Sequence, residues 1–268
     1  MTGPTRTYRQ GSRAETRAET RVRILAAAQE LIPGAGSSLP VTAIARHAGV
    51  AVQTIYDQFG SKGGLLIAVV NEVQRSAELF HALRAVFRSR DGEEAMRRMI
   101  DATVSFWGRA WPYVEFLLRS RRIDPVVARE MDFIDRLRNA HYWAIASRLE
   151  EEGRLRPGLT AQTAADQAFA LTTPTVFEEL AVRRGASTRS AVDTVTRAVL
   201  AVILEPDAGN AKIGPPDWTA LEQAAAARAR EAGSDPARLT PDWSSTGGPP
   251  ADAASTRSGR HDGPRGGA

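Results

Sequence analysis

Cysteine is absent from the 268 residues. That excludes disulfides, thiolate zinc sites, iron–sulfur clusters and cysteine nucleophiles together, and removes any argument for an oxidising compartment. Also missing is an apolar run near the ~18–20 residues that a membrane helix needs. Met1 to Gln10 is polar, with Arg6 and Arg9 and no apolar stretch behind it, so no signal peptide is expected. Histidine is scarce: His47, His81, His141 and His261 include no i, i+4 pair of the kind that holds a metal on a helix. No Gly-x-Ser-x-Gly elbow and no P-loop occur. Gly34-Ala35-Gly36 follows a helical pattern rather than a strand, which argues against a dinucleotide site. Acidic residues are plentiful but fall on predicted helix surfaces. The expectation is a cytoplasmic protein, not an enzyme, without cofactor, metal site or membrane span.

What is present is enough apolar material for a sizeable core, 43% of the chain, and an ordinary 25% of charged residues. The net charge of +4 is unevenly placed. Residues 1–62 hold eight basic and four acidic groups, while the rest of the chain holds 27 of each. A basic N-terminal module on a neutral body points to a nucleic-acid partner, although a solvated basic face would look the same.

Periodicity is helical throughout, and no run alternates with period two, so the predicted class is all-α. Residues 1–18 read as a flexible basic arm. Ile24, Leu25, Ala28, Leu31 and Ile32 form one stripe, ended by Pro33-Gly34. Pro40 suits the first position of a short helix through Ile44, Ala45 and Ala48. Gly49 is a turn, and Val52–Gln58 is a second short helix. Ser61 is a candidate N-cap for a long helix to Phe80. Beyond it the pattern predicts helices over Glu93–Trp107, Pro112–Arg119, Pro125–Glu152, Thr160–Arg184 with a kink at Pro174, and Ser187–Leu204. Residues 205–268 hold eight prolines, nine glycines and only Ile213, Leu221 and Leu239 from Ile, Leu, Val and Phe. Such a tail cannot offset its ordering entropy and is expected to be mostly disordered. Within it Ala220–Glu231 has helical propensity but no apolar face, so that helix should be marginal or borrowed by a partner. The expected domains are therefore 1–18 arm, 19–64 DNA-binding unit, 65–204 helical body and 205–268 tail.

The informative stretch is Pro40 to Leu66. Two short helices across Ala48-Gly49-Val50 have the size and turn of a helix-turn-helix. Ile44, Ala45, Ala48, Val50, Ile55 and Phe59 form its small core. The second helix then presents Val52, Gln53, Thr54, Tyr56 and Asp57 outward. Glutamine can read adenine through two hydrogen bonds, and Thr or Val can touch a thymine methyl. Tyr56 and Lys62 have the reach for phosphate.

The ordered set Ile44-Ala45, Ala48-Gly49-Val50, Thr54-Ile55-Tyr56, Phe59, Ser61-Lys62 and Leu65, preceded by the Ile24–Ile32 stripe, resembles the TetR family of repressors. The resemblance implies a recognition helix carrying Tyr56 that enters the major groove, with Thr54, Tyr56 and Lys62 touching phosphate. It also implies a palindromic double-stranded operator, a homodimer formed by the last two helices of the body, and a small-molecule effector. The sequence departs from the family where Pro40 and Ala51 replace capping hydroxyls. Thr42 is a candidate substitute at the first site, and the recognition helix is left without an evident cap. Gly63-Gly64 replaces charged or polar residues. Loosening the helix start is what two glycines do there, so they are expected to ease a hinge.

In the body, Phe106, Trp107, Trp111, Phe116, Tyr142 and Phe169, with His141 and Thr172 as polar handles, are the candidates to line a largely apolar effector site. Aromatics at helical spacing are more often plain core than pocket. Two other readings stay open at this point: an all-α enzyme or carrier using an aromatic cavity, and an interaction scaffold acting through the tail.

Overall fold

The computed structural model describes residues 8–35, 39–76, 79–205 and 216–235. Among these there are helices and no strand, apart from one isolated bridge between Leu155 and Leu204. The helices are α1 (Tyr8–Leu31), α2 (Val41–Ala48), α3 (Val52–Phe59), α4 (Lys62–Ser76), α5 (Leu79–Val86), α6 (Gly92–Arg121), α7 (Pro125–Glu151), α8 (Ala161–Leu171), α9 (Pro174–Phe177), α10 (Thr188–Ile203) and α11 (Trp218–Glu231). No helix among the described residues is long and apolar enough to cross a membrane.

Two apolar clusters organise the chain. The first buries Ile24 and Ala28 of α1, Ile44 and Ala45 of α2, Ile55 of α3 and Leu65 and Val69 of α4, together with Phe116 and Leu117 at the end of α6. The second buries Met96, Met99 and Ile100 of α6, Tyr142, Ile145 and Leu149 of α7, Ala164 and Ala168 of α8, and Val195, Val199 and Ile203 of α10. Trp107 and Trp111 of α6 pack against both.

Four expectations are corrected. Helix α1 begins at Tyr8, so the arm of residues 1–18 is helical over much of its length. Three of the four residues in each Arg-Ala-Glu-Thr copy are good helix formers, and the repeat joins the Ile24–Ile32 stripe without a breaker between them. Residues 1–7 lie outside the described residues. Glu93–Trp107 and Pro112–Arg119 are one helix, α6, that runs through Pro112. The proline is exposed and costs one backbone bond. Buried Ala110, Val114, Phe116 and Leu117 on the inner face keep the helix going. Thr160–Arg184 is broken rather than kinked. α8 ends at Leu171, and Thr173, which precedes Pro174, is extended at φ −67°, ψ 156°. The chain resumes as α9 and a π-helical turn, Glu178–Arg183.

The fourth correction concerns α11, which packs on the body. Asp217 caps it by accepting the N–H of Ala220 at 3.0 Å. Trp218 is buried, donates Nε1–H to the Ser89 carbonyl at 2.5 Å, and meets the Phe87 ring edge-on at 6.0 Å. Ala225 and Ala229 are buried behind it, and the Arg228 guanidinium lies 4.9 Å over Trp143 of α7. The apolar face exists, but it is built from alanines and a single tryptophan at the first helical position. The rest of the tail expectation, residues 206–215 and 236–268, lies outside the described residues.

Candidate nucleic-acid interface and helical body

The turn between α2 and α3 rests on Gly49, at φ 64°, ψ 41°. Its left-handed conformation lets Val50 donate to the Ala45 carbonyl at 3.0 Å and Gly49 to Arg46 at 3.3 Å, closing α2 in a Schellman arrangement. Alanine at 45 and 48 and buried Ile44 and Ile55 bring the two helices together. Pro40 stands just before the first helical residue of α2, and neither it nor Ala51 before α3 supplies a side-chain cap. Ser61 does cap α4, since its Oγ accepts the Gly64 N–H at 2.9 Å.

This geometry fixes the outer face of α3. Gln53 is exposed and Tyr56 is 40% exposed, while Val52 and Thr54 are half-buried. The Gln53 amide donates to Asp57 Oδ1, one turn on, at 2.8 Å. Thr42 is exposed in the first turn of α2, and Lys62, half-buried, opens α4. Sequence reasoning missed two arginines that lie against the last turn of α3. Arg17 of α1 donates to the Asp57 carbonyl at 3.4 Å and accepts on its own carbonyl from Gln58 Nε2 at 3.3 Å. Arg21 lies 4.5 Å over the Phe59 ring. Their signal was the Arg-Ala-Glu-Thr repeat, which carries an arginine every fourth residue, that is, on one helical face.

Gly63 and Gly64 are positions of close approach, not of looseness. A Cβ on Gly63 would lie 2.7 Å from Val126 Cβ and 2.9 Å from Asp124 Oδ1, at the start of α7. A Cβ on Gly64 would lie 2.1 Å from the Phe59 carbonyl oxygen. The first of these joins the N-terminal unit to the body. A second joint is the Tyr113 hydroxyl of α6, which donates to the Gln29 carbonyl of α1 at 3.3 Å.

The aromatic set of the body is divided. Phe116 lies in the N-terminal cluster, away from Tyr142. His141 faces the Phe87 ring edge-on at 5.5 Å, towards α5. Phe106 is buried beside Trp107, ring centroids 5.3 Å apart, and Trp111 meets Phe177 at 5.4 Å. Trp107, Phe169 and Thr172 do converge, around a residue that no sequence pattern singles out. Arg138 of α7 donates Nη1–H to the Thr172 carbonyl at 3.0 Å, and Trp107 Nε1–H donates to the same oxygen at 3.0 Å. The guanidinium lies 4.2 Å over Phe169 and 5.4 Å over Trp107. Tyr142 is buried behind it, with its hydroxyl 3.5 Å from Thr103 Oγ1, and burial pushes the phenol pKa up. No group of three or more His, Asp or Glu among the described residues could hold a metal ion.

Residues 24–69 match the family model for bacterial regulatory proteins of the tetR family. Residues 24–69 are a TetR-family domain. The matched segment begins at Ile24, buried in α1, and ends in the middle of α4, so it takes in both helices of the TetR-family turn and the joint at Gly63. Solved structures extend the likeness in fold to the body. FadR from Bacillus subtilis, in complex with stearoyl-CoA, superposes with a TM-score of 0.57 at 20% identity, over 68% of this chain and 98% of that one. NalD, the secondary repressor of the MexAB-OprM multidrug efflux pump in Pseudomonas aeruginosa, gives 0.54 at 20%, over 72% and 99%. The SmeT–triclosan complex gives 0.55 at 22%, over 74% and 98%. No curated protein matches the chain.

Burial holds the His141 imidazole neutral, its pKa lowered to about 4 from an ordinary 6.5. The unfolded chain therefore takes up this proton first as pH falls, so the stability that His141 contributes is complete above pH 6.5 and drains away between 6.5 and 4. By pH 5 the loss should be on the order of 2 kcal/mol. Thermal melts of wild type and His141→Gln between pH 7 and pH 5 check this. The wild type should lose more of its melting temperature, and parallel curves would show that the ring is solvated.

Proposed function

We propose that this chain is a cytoplasmic, one-component transcriptional repressor that binds a palindromic operator as a homodimer and leaves it when a small ligand with an apolar body occupies the helical domain. The observation that carries the reading is the outer face of α3. Gln53 and Tyr56 stand exposed on a helix fixed by the Gly49 turn, with Arg17 against its last turn and Lys62 just beyond its C-terminal end. Such a face offers base-edge chemistry along the helix and phosphate chemistry at its C-terminal margin. Supporting the ligand half of the reading, two proteins of the same fold were solved with stearoyl-CoA and with triclosan, and a third, NalD, is the secondary repressor of an efflux pump.

Release follows from the two joints. α6 and α7 meet the N-terminal unit at Tyr113–Gln29 and at Gly63–Val126. A ligand that favours a slightly different packing of α6 and α7 tilts both recognition helices of a dimer. These must stay about 34–36 Å apart to enter successive major grooves. A differential affinity of ~1–3 kcal/mol for the tilted state gives a 5–150-fold loss of operator binding.

Selection from a random duplex pool tests the proposal. Wild type should recover a palindromic site. Gln53→Ala should relax one position per half-site, at ~1–3 kcal/mol, whereas Lys62→Ala should weaken all sequences alike and reduce the salt slope by about 1. No enrichment of any site would remove the regulatory reading, and an unchanged motif with Gln53→Ala would remove Gln53 from the readout.

A further inference from the structure

Arg138 of α7 is a cation only 8% exposed in an aromatic setting. Burying a guanidinium is tolerated when its donors are met and its charge is balanced. Neither condition is fully satisfied. Nε–H is buried without a partner. Nη2–H donates to Asp135 Oδ1 at 3.3 Å, and that carboxylate is a third exposed and shared with Arg121, also at 3.3 Å. Both contacts are longer than the ~2.7–2.9 Å of a strong charge-assisted bond. A purely structural task, holding the Thr172 carbonyl where α8 breaks, is already performed by Trp107 Nε1 at 3.0 Å. Desolvation by its surroundings lowers the Arg138 pKa, as expected for a charge held short of compensation.

We infer that Arg138 is the recognition group for an organic carboxylate with a flat apolar body, held between α6, α7 and α8. The unmet Nε–H and the weakly held Nη2–H lie along one edge of the guanidinium, the edge a carboxylate takes with two parallel bonds. Asp135 can yield that edge at small cost, because Arg121 already pairs with it and with Asp132. Two rings flank the guanidinium and supply the apolar surroundings, Trp107 and Phe169, both only half-buried and so reachable from solvent. The same carboxylate would stand beside the Thr172 carbonyl that ties α6 and α7 to the break after α8, and crowding there loosens the tie. This deepens the proposed function by naming the class of effector, and rests on it only for the link to DNA.

The test uses the full-length protein, 2-naphthoate and its neutral analogue 2-naphthamide, and calorimetry on wild type, Arg138→Met and Arg138→Lys. Wild type should bind the acid at least tenfold more tightly than the amide. Arg138→Met should bring the ratio to about one with the amide little changed, and Arg138→Lys should fall between, since lysine keeps the charge but not the edge. Equal binding of acid and amide to wild type, binding of neither, or an acid preference that survives Arg138→Met would overturn the inference. The wild-type comparison decides the case if a variant fails to fold. Operator binding measured in parallel separates the two claims: a protein that binds operator but not naphthoate loses only this inference. One that binds naphthoate through Arg138 but no DNA loses only the regulatory reading.

Discussion

Gly64→Ala should be among the most damaging small substitutions in this protein. The added Cβ would lie 2.1 Å from the Phe59 carbonyl oxygen, and a backbone atom at the end of α3 cannot rotate away. Either α3 or α4 must shift, and both carry the proposed DNA contacts. Overpacking of this kind costs about 3 kcal/mol, and a domain of this size then melts on the order of 10 °C lower. Gly63→Ala is the milder partner, because the atoms it meets belong to the Val126 and Asp124 side chains. Its cost falls on a cap. Asp124 accepts the N–H groups of Val126 and Val127 at 2.8 and 3.3 Å, and displacing it loosens the first turn of α7 at about 1 kcal/mol. Melting curves and operator affinity read both effects. An unchanged melting temperature for Gly64→Ala would restore the view of these glycines as a hinge.

A comparable loss is expected for Val199→Glu, but for a different reason than helix pairing between subunits. Val199 is 0% exposed within a single chain, packed in the body core. A carboxylate there has no partner and should cost ~4 kcal/mol or more, enough to unfold the body. Val202, three residues on, is 41% exposed and Val182 on the neighbouring π-helical turn is 51% exposed. Val202→Glu should therefore leave the fold and its melting behaviour nearly intact while shifting the protein towards monomer. Circular dichroism and light scattering at micromolar concentration distinguish the two. A dimer indifferent to Val202→Glu would move the interface away from α10.

The part of the structure most legible in the sequence was the part with the densest local constraints. Between Pro40 and Leu66 a glycine that must be left-handed, two alanines that must be small and a serine that caps the next helix each fix a backbone position, so the turn and its flanking helices could be placed residue by residue. Farther along, the same rules misplaced helix ends. Pro112 reads as a terminus, but a helix buried on both sides of an exposed proline continues past it. Pro174 reads as a kink, but with Thr173 extended the helix ends. α11 was hidden because alanine scores as propensity rather than as contact, although Ala225 and Ala229 are buried. For the body, aromatic spacing announced a core without saying which ring meets which. Phe116 and Tyr142 belong to different clusters, and Arg138, whose partners lie on three helices, leaves no periodic trace.

If Gln53 reads a base as proposed, the Gln53–Asp57 bond gives the free protein a ready-made reading head. A glutamine on an open surface samples many rotamers, and fixing it at an interface costs roughly 0.5–1.5 kcal/mol of entropy. Here one amide hydrogen is already committed to Asp57 at 2.8 Å, while the other hydrogen and the carbonyl oxygen remain free, the donor–acceptor pair that an adenine edge requires. Part of the ordering is thus complete before DNA arrives. In the proposed readout Asp57 contributes to sequence choice without touching a base, and a chain that kept Gln53 but varied residue 57 would recognise the same letters less sharply.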